Sequence, residues 1–346
     1  MTTEELLLRY VEETDILSDE KSIMVILFGS RITGDYKESS DLDVLVIVPH
    51  EDGYFGREKR MIDGIPVETI FMSKSTMMRK IANEYWTGSK FLESVLLTGK
   101  VEKSLDGVWL DAVKEIKRLS EFKKDKQAFS SYWQEKLDQI LYQYRHANGN
   151  EKKLYYFVFI NLLRMMYHFM NNYSSITDWK FYQMYTNKEK AKLYKLDLPD
   201  EEFIDAMVKA LENTDDMEET LKKLFHFAGY TDYEKEKRHV YIEEDWHRCL
   251  SKQEIDKELM YLGSNVAKVE EMLLLESKEA ECCYFLLLEY MRDKTFYIGP
   301  KDTSGFDRIF KRALDTEGAE ERIRVLEELL HELDKEYEFD YDDYSL

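Results

Sequence analysis

Asp41 and Asp43 stand two residues apart at the front of an apolar run, Val44 to Val48. Eleven residues before Asp41, at Ser30, an earlier apolar run from Met24 to Phe28 has just ended in Gly29-Ser30. Strand side chains alternate faces, so the two aspartates point the same way. Carboxylates on one face suit Mg²⁺, a hard ion that takes oxygen ligands and shares them with substrate phosphates. A glycine at the turn lets the backbone approach a phosphate with no side chain in between. Amides of a following helix start, with the Ser30 hydroxyl, can then bind phosphate oxygens. Two such ions about 3.5–4 Å apart can activate an attacking oxygen and stabilise leaving pyrophosphate. The spacing therefore predicts a strand, a tight turn and a site for a metal-bound triphosphate.

A third acid is expected on a neighbouring strand. Residues 65–72, IPVETIFM, form an apolar strand candidate with Glu68 in its middle. An acid inside such a strand is costly unless it is paired or holds metal. Glu68 reads as a metal ligand, or as the general base that takes a proton from an acceptor hydroxyl; the alternative is an edge strand with Glu68 facing water. Asp63-Gly64 reads as a hairpin turn.

The segment GSRITG…SDLDVLV resembles the nucleotidyltransferases of the DNA polymerase β superfamily, which carry a Gly-Ser followed by Asp-x-Asp and a later acid. It looks most like the small-molecule branch, the streptomycin/spectinomycin-type aminoglycoside adenylyltransferases. The likeness is specific over about residues 22–75, weaker over 155–212, and ends by about 240. It implies an α+β fold, with an N-terminal mixed sheet flanked by helices and then all-helical domains. It also implies transfer of a nucleoside monophosphate, AMP from ATP or the equivalent from another NTP, onto a hydroxyl of a small molecule. Pyrophosphate is released and two Mg²⁺ ions are used. In that branch the acid in the later strand is the base, which points to Glu68, with Asp41 and Asp43 holding metal. An aminoglycoside-like antibiotic is one acceptor the likeness implies. Two alternatives stay open: a toxin-type enzyme modifying a protein or tRNA, and a nucleotide-binding regulator without turnover.

Residues 154–170, LYYFVFINLLRMMYHFM, are almost wholly apolar or aromatic apart from Arg164. A lone arginine in a buried helix wants an anion. Lys180 follows in SITDWKFYQMY, at a turn or helix start. The resemblance implies that such an Arg and Lys reach the nucleotide phosphates; otherwise Arg164 pairs with a core carboxylate and Lys180 is solvated. Arg31, next to Ser30, is a further phosphate candidate or a surface arginine.

These residues need elements to hold them. Strands are predicted at about 23–28, 43–48 and 65–72. Helices are predicted from Thr2 to about Glu13 with a capping box, at 31–36, and at 74–85 with Ser73 or Ser75 as cap. An element is expected to end at Gly99. A long charged helical stretch covers 107–147 and breaks at Asn148-Gly149-Asn150. Further helices are expected at 152–172, 177–194, 201–212 (capped by Asp200) and 214–228. Residues 230–250 read as a linker or arm. Beyond 251, apolar positions recur at three- and four-residue spacing (Leu259, Leu262, Val266, Val269; Ile323, Leu326, Leu330, Leu333), as in a helical bundle. Gly299-Pro300 marks a break, and the acidic, tyrosine-rich tail reads as mobile. The expected domains are 1–105 catalytic, 106–235 helical around the nucleotide and acceptor, and 236–346 a C-terminal bundle of unassigned role.

The chain has 346 residues and a formal charge of −21, unevenly spread. Residues 1–50 carry 11 acids and 4 bases, 51–200 carry 20 and 25, and 201–346 carry 39 and 20. Nucleic-acid binders show a basic stripe; this chain has none, which argues against a nucleic-acid partner. An acidic lobe favours a cationic acceptor, although acidity also serves solubility. Three cysteines, two adjacent, make neither a disulfide framework nor a zinc spacing. With no signal or membrane-span pattern, a reduced cytoplasm is the expected setting.

Overall fold

The computed structural model describes all residues except 39, 50–52, 88–90, 122–125, 175, 195, 230–251, 299–302 and 336–346. The proposed arm at 230–250, the Gly299-Pro300 break and the acidic tail all fall outside the described residues. The protein is α+β, with a mixed five-stranded sheet and flanking helices followed by helical segments. Two compact units emerge. One contains residues 1–129, 168–176 and 183–199; the other contains 130–167, 177–182 and 200–346.

The first unit opens with α1 (Thr3–Thr14). The Thr2 hydroxyl accepts from the Glu5 amide, and the Glu5 carboxylate accepts from the Thr2 amide, so two orphan donors are satisfied at once. Next come β1 (Met24–Phe28), α2 (Ser30–Thr33), β2 (Leu42–Val48), β3 (Phe55–Ile62) and β4 (Ile65–Ser73). They are followed by α3 (Lys74–Thr87), α4 (Phe91–Thr98), β5 (Lys100–Ser104) and α5 (Val108–Ser120). The strand order is β3-β4-β2-β1-β5, with only the β2–β4 pair parallel. The Ser73 hydroxyl accepts from the Thr76 amide and so caps α3.

Alternation along the strands makes two cores. Leu42, Val44, Val46 and Val67 face one side with Leu6 and Tyr10 of α1. Met24, Ile26, Leu45, Ile47 and Met72 face the other, under Met77, Ile81, Leu92, Val95, Ala112 and Ile116 of α3, α4 and α5.

Two strands lie where none was expected. β3 reads FGREKRMI and β5 reads KVEKS. Both are edge strands rich in charge, which blunts an exposed edge and hides the apolar alternation that reveals a strand. The expected helix at 107–147 is two helices, α5 and α6 (Lys126–His146). The expected helix at 177–194 is also two, α8 (Phe181–Thr186) and α9 (Lys188–Leu193), divided at Asn187, whose side chain caps α9.

The second unit is built on α7 (Gly149–Asn171), whose Tyr156, Phe157, Phe159 and Leu163 are fully buried. The Tyr156 hydroxyl donates to the Ala210 carbonyl in α10 (Glu201–Glu212), capped by Asp200 as expected. Phe159 stacks on Phe225, just beyond α11 (Met217–Leu224). Phe157 stacks on Phe285 of α13 (Ala280–Ile298), which with α12 (Lys252–Leu274), α14 (Ser304–Leu314) and α15 (Ala319–Lys335) makes the C-terminal bundle. Its stripes bury Leu262, Val266 and Val269 on α12, with Leu326 and Leu333 on α15. Among the described residues, no helix is long and apolar enough to cross a membrane.

Candidate active site

β1 ends at Phe28, and the chain turns at Gly29 into the single turn of α2. Gly29 has φ 77° and ψ −162°, a region essentially reserved for glycine. A Cβ there would lie 1.9 Å from Asp43 Oδ2. The bend is thus pressed directly against the β2 carboxylate, and only a hydrogen fits between them.

Asp43 lies opposite Phe28 on one side and opposite Glu68 on the other, through the parallel β2–β4 register. Leu45 and Ile47 on β2, and Ile70 and Met72 on β4, face the core under α3 to α5; by alternation Asp43 and Glu68 share that face. Asp41 precedes the first β2 residue by one. Carboxylate oxygens of Asp41, Asp43 and Glu68 all lie within 4.8 Å of one another, and all three residues are half-buried. Three hard oxygen donors converging at the start of β2, beside a backbone bend free of side chain, fit a divalent cation of the Mg²⁺ type.

Glu68 has a partner that sequence reasoning missed. Lys59 of β3 lies directly across from it, and its ammonium donates to Glu68 Oε1 at 3.0 Å. The signal was present in the hairpin turn at Asp63-Gly64, which pairs Lys59 with Glu68 once the polar run before it is accepted as a strand.

Arg31 is buried, 4% exposed. Its guanidinium donates to the carbonyls of Ser40 (2.7 Å), Glu38 (2.9 Å) and Met1 (3.4 Å), and it lies over the Tyr36 ring. In this arrangement it fastens the loop that delivers Asp41. Two further residues were not anticipated. Lys190 and Tyr194, one turn apart at the end of α9, both bind Asp35 just after α2, at 2.8 and 3.1 Å. Burial pushes the Tyr194 phenol above its ordinary range; a Thr33 hydrogen bond opposes this, and the Asp35 and Asp43 carboxylates add to it. The basic run KEKAKLYK was a visible sign, but nothing local tied it to Asp35.

Arg164 and Lys180 belong to the second unit. Arg164 is 2% exposed; its guanidinium donates to Asn161 Oδ1 (2.7 Å) and Asp178 Oδ1 (2.5 Å) and lies over the Phe181 ring. Lys180 is exposed, its amide closing a turn onto the Thr177 carbonyl.

Residues 13–140 match a family model described as a nucleotidyltransferase domain. No curated protein matches. Among solved structures, a nucleotidyltransferase-like protein from Exiguobacterium sibiricum is similar at 11% identity, over 84% of this chain and 91% of that one, with a TM-score of 0.38.

Proposed function

We propose that this protein transfers a nucleoside monophosphate, AMP from ATP, to a hydroxyl of a small molecule and releases pyrophosphate. The observation that carries this reading is the convergence of Asp41, Asp43 and Glu68 within 4.8 Å, against the Gly29 bend and inside the segment matching a nucleotidyltransferase domain.

Divalent cations of the Mg²⁺ type, when bound, neutralise charge on the phosphates and activate the attacking oxygen. Asp41 and Asp43 would hold them, with Glu68 beside the pair. Ser30 and the backbone at Gly29 cradle the β- and γ-phosphates. The acceptor oxygen bonds to the α-phosphorus, and the bond to the β-phosphate bridging oxygen breaks, its electron pair leaving on pyrophosphate. The hydroxyl proton passes to the Glu68 carboxylate, which Lys59 holds in place. Arg31 acts through the loop that presents Asp41. Most of the acceleration comes from positioning and charge stabilisation.

The experiment is pyrophosphate release from ATP and Mg²⁺ across a panel of small hydroxyl acceptors, with α-labelled ATP to follow the nucleotide. Label on a small molecule supports the reading. Label on a protein or RNA band replaces it with a macromolecular acceptor, and ATP binding without release under every condition replaces it with a regulator.

A further inference from the structure

A groove of about 460 Å³ runs between α12 and α15 in the C-terminal bundle. α12 contributes Leu259, Gly263, Val266 and Ala267 to it, and α15 contributes Leu330. The α12 positions recur at three- and four-residue spacing, so they form a single row along the helix. Gly263 and Ala267 have almost no side chain, and the row dips there into a trough. Its floor is apolar but uncovered among the described residues: Val266 is buried, Gly263 and Leu330 are half-buried, and Ala267 is exposed. Further along the same row Leu274 is 65% exposed, beside Leu275 at 69%. One exposed leucine means little, but a row of apolar positions along a groove marks a docking face.

Carboxylates stand at both ends of the trough. Glu270 lies near Glu327, and a Cβ on Gly263 would meet Leu330 Cδ2 at 3.7 Å, so the two helices run antiparallel. Glu270 and Glu327 therefore close one end, and Asp334, two turns further along α15, belongs to the Leu259 end. Burial raises the Glu270 carboxyl above its ordinary range, and Glu327 adds to the rise. Among the described residues, no lysine or arginine lines the groove and no ion pair reaches Glu270, Glu327 or Asp334. Two carboxylates that crowd each other on an apolar surface cost free energy until a cation comes between them.

The sign of this face selects its occupant. A nucleic acid or an anionic membrane would be repelled, and a second copy of the same face would set carboxylate against carboxylate. The shape selects too. Two antiparallel helices with a trough between them leave the third place of a helical packing open, and an amphipathic helix fills such a place with residues at three- and four-residue spacing.

We propose that the α12–α15 groove docks an amphipathic helix of a partner protein, its apolar row seated over Gly263 and Ala267 and its lysines or arginines set against Glu270 and Glu327 at one end and Asp334 at the other. Glu270 and Leu259 are eleven residues apart, or about 17 Å of helix. The partner's basic positions therefore stand about three turns apart. This docking is independent of nucleotide transfer by the first unit.

The test is fluorescence anisotropy on the full chain with a labelled, alanine-based helical peptide that carries a leucine row and a lysine at each end of it. A scrambled peptide of the same composition keeps the charge and loses the row. A third peptide has glutamates in place of the lysines. The first should bind about tenfold tighter than either control. Glu270→Gln with Glu327→Gln and Asp334→Asn should bring the lysine and glutamate peptides level. Gly263→Trp should block binding with the melting temperature kept, because a Cβ there meets only ordinary contact. Ala267→Arg, at an exposed position, should block it as well by filling the trough with the chain's own cation. Equal binding of the three peptides, no binding, a lysine preference that survives the triple variant, or binding that survives both blocking variants overturns the proposal. So does sedimentation that shows a dimer dispersed by Gly263→Trp, since a second copy would then hold this face.

Discussion

Replacing Gly29 by alanine should weaken cation binding at the three acids while leaving a folded protein, and the structure sets the size of the effect. The new Cβ would lie 1.9 Å from Asp43 Oδ2 and 2.9 Å from its Cγ, where ordinary contact begins at 3.4 Å. The carboxylate must retreat by about 1.5 Å. Metal–ligand distances tolerate only about 0.2 Å, and a displacement near 1 Å at a reacting centre costs on the order of a hundredfold. Holding alanine in a backbone region nearly exclusive to glycine adds about 1–3 kcal/mol of strain. Gly34→Ala is the control. Gly34 also has positive φ, 83°, but a Cβ there meets nothing within 4 Å. It should cost about 1–2 kcal/mol of backbone strain without moving Asp43. Mn²⁺ affinity read by EPR, with a non-hydrolysable ATP analogue, separates the two without an acceptor. Gly29→Ala should lose about a hundredfold, while Gly34→Ala stays near wild type. Equal affinities for the two variants would refute the close approach of the bend to Asp43.

Asp43→Asn should cut nucleotidyl transfer by roughly a thousandfold, since metal charge stabilisation is worth several kcal/mol, with an unchanged circular dichroism spectrum; full activity would remove Asp43 from the metal set. Glu84 holds its proton to about pH 7 in the folded chain and to about 4.5 when unfolded. Its contribution to stability is complete below pH 4.5 and falls away as pH rises through 7, by at most roughly 3 kcal/mol. Urea titrations at pH 5.5 and 8 should show Glu84→Gln gaining more on wild type at pH 8 than at pH 5.5. Arg31→Ala should destabilise by about 1–3 kcal/mol, because three partly buried carbonyl contacts go with it, and should weaken Mn²⁺ binding by loosening the loop before Asp41. Arg164→Met should cost about 1–3 kcal/mol in urea, because the hydrogen bonds of a buried guanidinium to Asn161 and Asp178 go with it; a neutral effect would show that the pair is idle.

What the sequence displayed, and what it concealed, follows from the range of each interaction. Gly29, Ser30, Asp41 and Asp43 lie within fifteen residues and declare a strand, a bend and a shared face through spacing alone. Glu68 was visible as a charge out of place in an apolar strand. Lys59 was not, because β3 is a polar edge whose pattern resembles a loop. Nothing in the sequence singles out Glu84; its character comes from the α4 amide it holds and from the cavity beside it. Lys190 and Tyr194 reach Asp35 across more than 150 residues, and no local pattern encodes that. Arg31 was legible as a cation beside the bend, but the three carbonyls it serves depend on how the following loop folds back. Helical stripes in the second unit announced which faces are buried without naming their partners.

The acid trio depends on one register more than on any single residue. Asp43 and Glu68 are neighbours because β2 and β4 run parallel with Leu42 opposite Val67. A slip of one residue would turn Glu68 to the opposite face, toward α1, and bring Thr69 beneath α3. A buried contact holds the register against that slip. The Tyr10 hydroxyl of α1 meets Thr69 Oγ1 at 2.8 Å in a fully buried contact. The β3–β4 hairpin turns at Asp63-Gly64, both with positive φ, and fixes Lys59 opposite Glu68. Burying the Tyr10 hydroxyl costs free energy unless it is paired, so the slipped sheet would strand that hydroxyl and bury a glutamate against α1. The chain thus uses a polar contact on one face of the sheet to set the geometry of the carboxylates on the other.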